Sequence, residues 1–530
     1  MTLTRVLPLE TSTSLKVGDV PKNVGCVSVR VRIERATRVV PIFTIMALCS
    51  RVQYRAFVST LPVLFATVME RIFFHCVDGK FEIPHKPAAG AVRAILSPAT
   101  TYFQRTAWNS HPVPYGQFAV TYYTGVRLRN YAHAEMEVIL GNSKDSDSYL
   151  ATFGKLEKIK ANLCWPSPTL MKRLINRAIQ PRHIRYNVRV GRYLRPLEFP
   201  IYSLLERMFG SCGKVVMKGL NSVEVATCMR ASWNRFTNPV AVGLDANRFD
   251  QHVNEALLQW EHSIYTKFYS GTDRDELMHL LSLQLYNRGF VRAPQGTIKY
   301  SVHGGRCSGD MNTALGNCLI MCSVLYCHTL QCGLKATDVA LINNGDDCVL
   351  VCESRHLTQL TSTLPQFMER VGLSIRVEQP TRVFEQIEFC QAHPVHDGVG
   401  YRMVRNVPDV LSKDATILRQ VDHPDVYPRY LMALGQCGSA LSSGIPIMQE
   451  YYACMMRQAR GPALNVLYGT GMYQMAKGMV AEYRSVTMHS RYSFYLAFGI
   501  LPDLQVEFEA RLAQLDLAYV AQGGMVPPLF

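Results

Sequence analysis

Residues 338–352 read as two strands folded back on each other. DVALIN and CVLVCE are short runs rich in β-branched and other apolar residues, and Asn344-Gly345-Asp346-Asp347 lies between them with the composition of a tight hairpin turn. Gly345 permits the backbone of such a turn. The chain is therefore expected to contain an antiparallel sheet with two adjacent carboxylates on one hairpin tip. A solvated turn would use the same residues, so the tip gains meaning only from what accompanies it.

A second pair of carboxylates follows an apolar strand. PVAVGLD ends on Asp245, and Asp250 comes five residues later, ahead of a helix expected over 253–268. If this strand lies beside the hairpin, Asp245 faces Asp346 across a buried sheet. Joining nucleotides is an in-line displacement at phosphorus, in which the attacking and leaving oxygens both carry negative charge. Two divalent ions about 3.5–4 Å apart stabilise both. A few carboxylates fixed at strand ends or on a stiff turn hold such ions, while phosphate oxygens and water complete the shell. Asp245, Asp346 and Asp347 are the candidates for that work.

A third motif, Ser308-Gly309-Asp310-Met311-Asn312-Thr313, opens a long helix expected over 308–331. Gly304, Gly305 and Gly309 leave the preceding loop room for a backbone or a base. Ser308 suits a helix cap. Asn312 is placed to offer its amide to a ribose hydroxyl, and Asp250 to accept a hydrogen bond from the same group.

The net charge is +15, with 18% charged and 48% apolar residues among 530. The charged share lies below the roughly 25% of an average domain, which argues against a mainly disordered chain. A folded protein this basic is expected to meet a polyanion, either nucleic acid or an anionic membrane. Six arginines and no acidic residue lie between Arg177 and Leu197, and their forked donors suit phosphate oxygens. Tyr186 and Tyr193 in that run are placed to stack or to pack. No C-x-x-C pair occurs among the 16 cysteines, so buried free thiols are expected. Residues 39–50 and 56–69 are charge-free apolar runs too short to span a bilayer. They read as core helices or as an interfacial membrane element. From 395 onward the chain reads as mainly helical.

The order Asp245-x4-Asp250, SGDMNTALGN, then GDD resembles three motifs of right-hand-shaped viral RNA polymerases, and in particular those of the tombusvirus family (carmovirus-like and umbravirus-like replicases). GLDANRFDQHV (243–253), GGRCSGDMNTALGNC (304–318) and NNGDD (343–347) carry the likeness. KLEK (155–158) and RAIQPRHIRYNVRVGRYLRPLE (177–198) resemble a finger motif, IEFCQ (387–391) a primer grip, and RYSFYLAFGILPD (491–503) a C-terminal segment.

The resemblance implies an α+β, right-hand polymerase fold with fingers, a palm of antiparallel sheet plus helices, and a mainly helical thumb. It implies RNA-dependent RNA synthesis for a positive-strand genome, with magnesium as cofactor and manganese able to substitute. By matching position, Asp245, Asp346 and Asp347 would hold metal, and Asp250, Ser308 and Asn312 would read the ribose. Lys155, Lys158, Arg177, Arg182 and Arg185 would face triphosphate or template.

Arg376 stands near a position where the family carries lysine, a candidate acid for pyrophosphate release. Arginine does not readily release its proton, so charge neutralisation is its expected role. The expected partition is an N-terminal extension to 85, fingers over 86–237, palm over 238–394 with a fingers insertion at about 269–303, and thumb over 395–530. RNA template and product and ribonucleoside triphosphates are the expected partners. Host membranes and an auxiliary viral replication protein join them, with the work placed in cytoplasmic replication complexes. The first 85 residues carry none of the motifs on which the resemblance rests, so it implies nothing about membrane targeting.

Two other readings share parts of this pattern. A reverse transcriptase has the same palm but usually carries a bulky residue where Asp250 stands. A basic RNA-packaging protein leaves the three carboxylate motifs without a role.

Overall fold

The structure, a computed structural model, describes residues 3–5, 8–32, 41–45, 53–161, 174–421, 423, 425–467 and 470–515. Its centre is a four-stranded antiparallel sheet. The strands are β1 (Pro239–Ala246), β2 (Val339–Asn344), β3 (Asp347–Glu353) and β4 (Ile375–Val377), in the order β2-β3-β1-β4. The expected hairpin and its neighbour strand are both present. Residues 215–217 extend the sheet beyond β2, where Asn343 exchanges backbone hydrogen bonds of 2.8 Å with Val215 and Met217.

These strands read as continuous apolar runs because both faces of the sheet are covered. Val240, Val242, Leu244, Leu341 and Leu350 pack under two long helices, α1 (Ile184–Met208) and α2 (Thr313–Gln331). Ala241, Ala340, Ile342, Val349 and Val351 pack on the other face against Met229, Trp233 and Phe384. The helix α2 is long and apolar enough to cross a membrane by length and composition, but its apolar side chains fill this core. It begins at Thr313 rather than at Ser308, which stays in the loop.

A second sheet of five strands joins distant parts of the chain. Its order is Gly25–Val31, Gly296–His303, Tyr286–Ala293, Leu150–Gly154 and Ala178–Ile179. Helix Leu61–Val68 and the wider turn Met69–Phe73 lie on it, burying Leu64, Val68, Met69 and Phe73 against Leu150, Ile298 and Tyr300. The apolar run 56–69 is thus taken up inside the protein. Of the run 39–50, residues 43–45 form a strand that pairs with Thr416–Ile417, not a helix; residues 39–40 and 46–50 lie outside the described residues. After a hairpin of Ala392–His396 and Tyr401–Arg405, the C-terminal part is helical around a core of its own. All described cysteines are free thiols.

Candidate active site

Strand register brings the carboxylates together. Leu244 of β1 pairs with Cys348 of β3, and Asn344 pairs with Asp347 across the hairpin. Asp245 and Asp347 each stand one residue beyond the Leu244–Cys348 pair, at the same edge of the sheet. The sequence reading put Asp346 opposite Asp245; the register puts Asp347 there, with Asp346 beside it on the turn. Gly345 turns with φ +94°, and Asn343 fixes the turn by accepting from the Gly345 amide at 3.1 Å and donating to its carbonyl at 2.7 Å.

Both tip carboxylates touch solvent, yet the surrounding walls strip them of much of their hydration. That loss, with the neighbouring charge of Asp347, raises the pKa of Asp346. Lost hydration also raises Asp347, against the hydrogen bond from Cys390 and the charge of Lys218. The Cys390 thiol, pushed up to about 12 by burial and by Asp347, stays protonated and points at Asp347 Oδ2 at 3.6 Å. Cys390 and Gln391 hold φ of +52° and +60°, strained for residues with a Cβ, and so aim the IEFCQ segment at the tip.

Arg376 meets Asp245 across the sheet, as its register partner and through a 3.1 Å bond from Nη2 to Oδ2. Its side chain is 73% exposed, so the pair is weak and open to exchange. Among the described residues no three His, Cys, Asp or Glu side chains form a ready-made metal cage. The donor set nonetheless fits magnesium, which binds one or two hard carboxylates and completes its octahedron with water and phosphate oxygens. Asp245, Asp346 and Asp347 offer such oxygens along one sheet edge.

Beside Asp346 opens a cleft of about 810 Å³ that also reaches Asp250, Ser308, Asn317, Lys218 and Arg177. Asp250 accepts from the Ser308 hydroxyl through one oxygen and from Asn317 Nδ2 at 3.1 Å through the other. Gly309, at φ +121°, lets the loop lie against Pro181, whose backbone a Cβ at this position would approach to 3.3 Å. Gln180 N donates to the Ser308 carbonyl at 2.8 Å, so the loop is tied to the strand before Pro181.

Asn312 does not join this group. It is fully buried, donates to Glu261 at 2.7 Å and accepts from Gln284 at 3.2 Å. The amide that reaches Asp250 belongs to Asn317, one turn into α2. The signal for it was in the sequence: Thr313 and Asn317 are the polar residues among the first ten of the helix, four apart and hence on one face.

A family model described as viral RNA dependent RNA polymerase matches residues 28–520. The chain belongs to this family. Proteins named RNA-directed RNA polymerase are similar to it along most of its length. That of Tobacco necrosis virus (strain A) is 39% identical over 85% of this chain and 60% of its own. That of Tomato bushy stunt virus (strain Cherry) is 36% identical over 91% and 57%, and that of Turnip crinkle virus 36% over 90% and 60%. The chain therefore spans less than two thirds of the length of these relatives. The likeness to tombusvirus and carmovirus polymerases read from the motifs agrees with these matches.

In this viral polymerase family member the arginine run behaves differently from its sequence reading. Arg182 is buried, its side chain 1% exposed, and clasps Asp310 through Nε at 2.6 Å, Ser148 O at 2.6 Å and Asn287 at 2.7 Å. Arg185 grips Asp147 at 2.8 and 3.0 Å and Glu137 at 3.1 Å. Acidic residues distant in sequence neutralise both, and Arg182 still borders the cleft beside Asp346 while Arg185 does not line it. Tyr186 and Tyr193 pack in the core, their hydroxyls bonded to Leu280 O and Glu276. Arg177 remains 57% exposed on the cleft, with Glu157 at 3.6 Å.

Lys155 and Lys158 line a second cleft of about 870 Å³, which also reaches Cys390, Arg405, Lys413 and Arg419. Lys155 pairs with Glu157 at 3.0 Å, and Lys158 donates to Lys413 O at 2.6 Å. Burial lowers Lys158 to about 8. The carboxylate tip lies between the two clefts, Asp346 lining the first and Asp347 reached through Cys390 from the second.

The turn joining Asp245 to Asp250 is held from the N-terminal part of the chain. Arg248 sits at φ +46° and donates to the carbonyls of Glu70 and Phe74, the latter at 3.2 Å. Gln251 donates to Phe74 O at 2.9 Å. From the wider turn Met69–Phe73, Arg71 donates to Ile175 O at 2.9 Å and Asn176 O at 3.3 Å, just ahead of Arg177.

Proposed function

We propose that the chain polymerises ribonucleotides on an RNA template, replicating a positive-strand viral genome. One observation carries the reading: Asp245 and Asp347 meet at one sheet edge, with Asp346 opening onto a cleft that presents Asp250, Ser308 and Asn317. The central sheet acts as palm, the five-stranded sheet and α1 as fingers, and the helices after 405 as thumb. Asp245, Asp346 and Asp347 would hold magnesium, which supplies positive charge to the attacking and leaving oxygens. Asp250 accepts from the ribose 2′-hydroxyl, Asn317 donates to it, and Ser308 holds Asp250 in place. Arg177 and Lys218 give the cleft its positive wall for phosphate. Arg376 shields Asp245 and exchanges that contact for phosphate oxygens when substrate enters. Residues 61–69 are occupied inside the protein, so the proposal includes no membrane contact through them.

The test is incorporation of labelled ribonucleotides on an RNA template by the intact protein, Asp346→Ala and Asp245→Ala. Both variants should lose incorporation while keeping RNA affinity, because affinity is spread over many cations. Near-normal incorporation by a folded Asp346→Ala protein would sink the assignment. Preference for deoxyribonucleotides would favour a reverse transcriptase.

A further inference from the structure

We infer that the buried pair Arg306–Glu261 sets the protein's choice of sugar, by fixing which end of the Asn317 amide faces Asp250. The inference rests on the proposed ribose reading of Asp250 and Asn317.

An asparagine amide has two ends of nearly equal shape, and only its neighbours decide which way round it sits. Here the neighbours leave no choice. Arg306 Nε lies 3.0 Å from one end and an Asp250 oxygen 3.1 Å from the other. A guanidinium only donates and an ionised carboxylate only accepts. The oxygen must therefore face Arg306 and the NH₂ must face Asp250. The reversed amide would set oxygen against oxygen and donor against donor. One N–H goes to Asp250; the other has no protein partner among the described residues, and Asn317 borders the cleft. A 2′-hydroxyl that donates to Asp250 and accepts from this N–H would be recognised, and a deoxyribose would leave the N–H unpaired and Asp250 with only its Ser308 and Asn317 donors.

Arg306 is itself held rigidly. Its Nη atoms bind both oxygens of Glu261, and neither side chain has any exposed surface. Glu261 Oε1 also accepts from Asn312 at 2.7 Å and from Tyr265 at 2.9 Å. The pair presses on the backbone of α2 at Gly316. A Cβ there would stand 2.4 Å from both Arg306 Nη2 and Glu261 Oε1. Glycine costs a helix interior about 1 kcal/mol relative to alanine. At this position it makes room for the pair, one residue before the amide the pair orients. Arg306 and Glu261 touch no substrate; they are positioning residues.

The experiment measures the ratio of catalytic efficiencies for a ribonucleotide and its deoxy analogue on one RNA template. The proteins compared are the intact chain, Asn317→Ala, Arg306→Lys, Gly316→Ala and Arg306→Lys with Asn317→Ala. Lysine keeps a charge for Glu261 but lacks the forked donor that reaches Asn317. Alanine at 316 favours the helix yet displaces the pair. Arg306→Lys and Gly316→Ala should each lower the ratio about tenfold, the scale of one lost oriented hydrogen bond. The double variant should match Asn317→Ala alone. If Asn317→Ala lowers the ratio while Gly316→Ala and Arg306→Lys, both folded, keep the intact value, the pair is only structural and the inference is overturned. An unchanged ratio in Asn317→Ala would instead overturn the ribose reading beneath it. Should Arg306→Lys fail to fold, Gly316→Ala decides.

Discussion

Lys218 Nζ donates to the main-chain carbonyl of Asn344 at 3.1 Å, holding the carboxylate hairpin from a segment outside it. The same ammonium borders the cleft beside Asp346, and its charge works against the upward push on both tip carboxylates. Lys218→Ala should leave the fold intact and lower incorporation at saturating nucleotide by about tenfold, as for one lost charge-assisted contact. Steady-state incorporation beside a thermal melt measures both. An unaltered rate would mean that Asn343 alone fixes the tip.

Two members of the arginine run, Arg182 and Arg177, should respond in opposite ways. Arg182→Ala strands Asp310 in the interior, which costs about 3–5 kcal/mol of stability. Arg177→Ala should change stability by no more than about 0.5 kcal/mol. It should reduce the slope of log RNA affinity against log salt by about one. Denaturant titration and a salt series of binding measurements separate the two. A salt slope that falls in Arg182→Ala while stability holds would reverse the assignment.

Deleting residues 1–75 removes the edge strand Gly25–Val31 and the buried helix and turn over 61–73. The five-stranded sheet then exposes both a strand edge and the apolar side chains of Leu150, Ile298 and Tyr300. The deleted protein should aggregate on expression and show no incorporation in the soluble fraction. A soluble, active deletion product that no longer floats with liposomes would restore the membrane reading of this region.

Acid should weaken the fold through buried histidines. Burial holds His328 and His262 at about 4, below the ordinary 6.5. Between those values the unfolded chain takes up protons that the folded one refuses. The stabilisation is therefore complete above pH 6.5 and lost as pH falls toward 4, by up to about 3 kcal/mol for each histidine. His328→Gln should show a smaller drop in denaturation midpoint between pH 7 and pH 5 than the intact protein. An equal drop would place the acid sensitivity elsewhere.

Local features were the legible ones. The hairpin and the strand before Asp245 follow from a few consecutive residues, because strand periodicity and turn chemistry act over short distances. Asn312 was read for Asn317 because the assignment turns on where α2 begins, and the helix starts five residues after Ser308. The arginine run was legible as charge but not as structure. Its partners Glu137, Asp147, Glu276 and Asp310 arrive from separate elements, and no local pattern announces them. The hairpin at 392–405 inside a stretch read as helical owes its form to pairing, with Val395 and Met403 turned into two different cores.

The grip of Arg248 on the carbonyls of Glu70 and Phe74 has a consequence for heredity. The turn it steadies carries Asp245, proposed to hold metal, at one end and Asp250, proposed to read the sugar, at the other. Under the proposed function, the spacing between catalysis and substrate choice is partly written in residues far upstream of either. Changes around Arg71 or Phe74 that spare folding would then surface as copying errors in progeny genomes, a mutator trait mapping to the region of the gene where a mere tether would be sought.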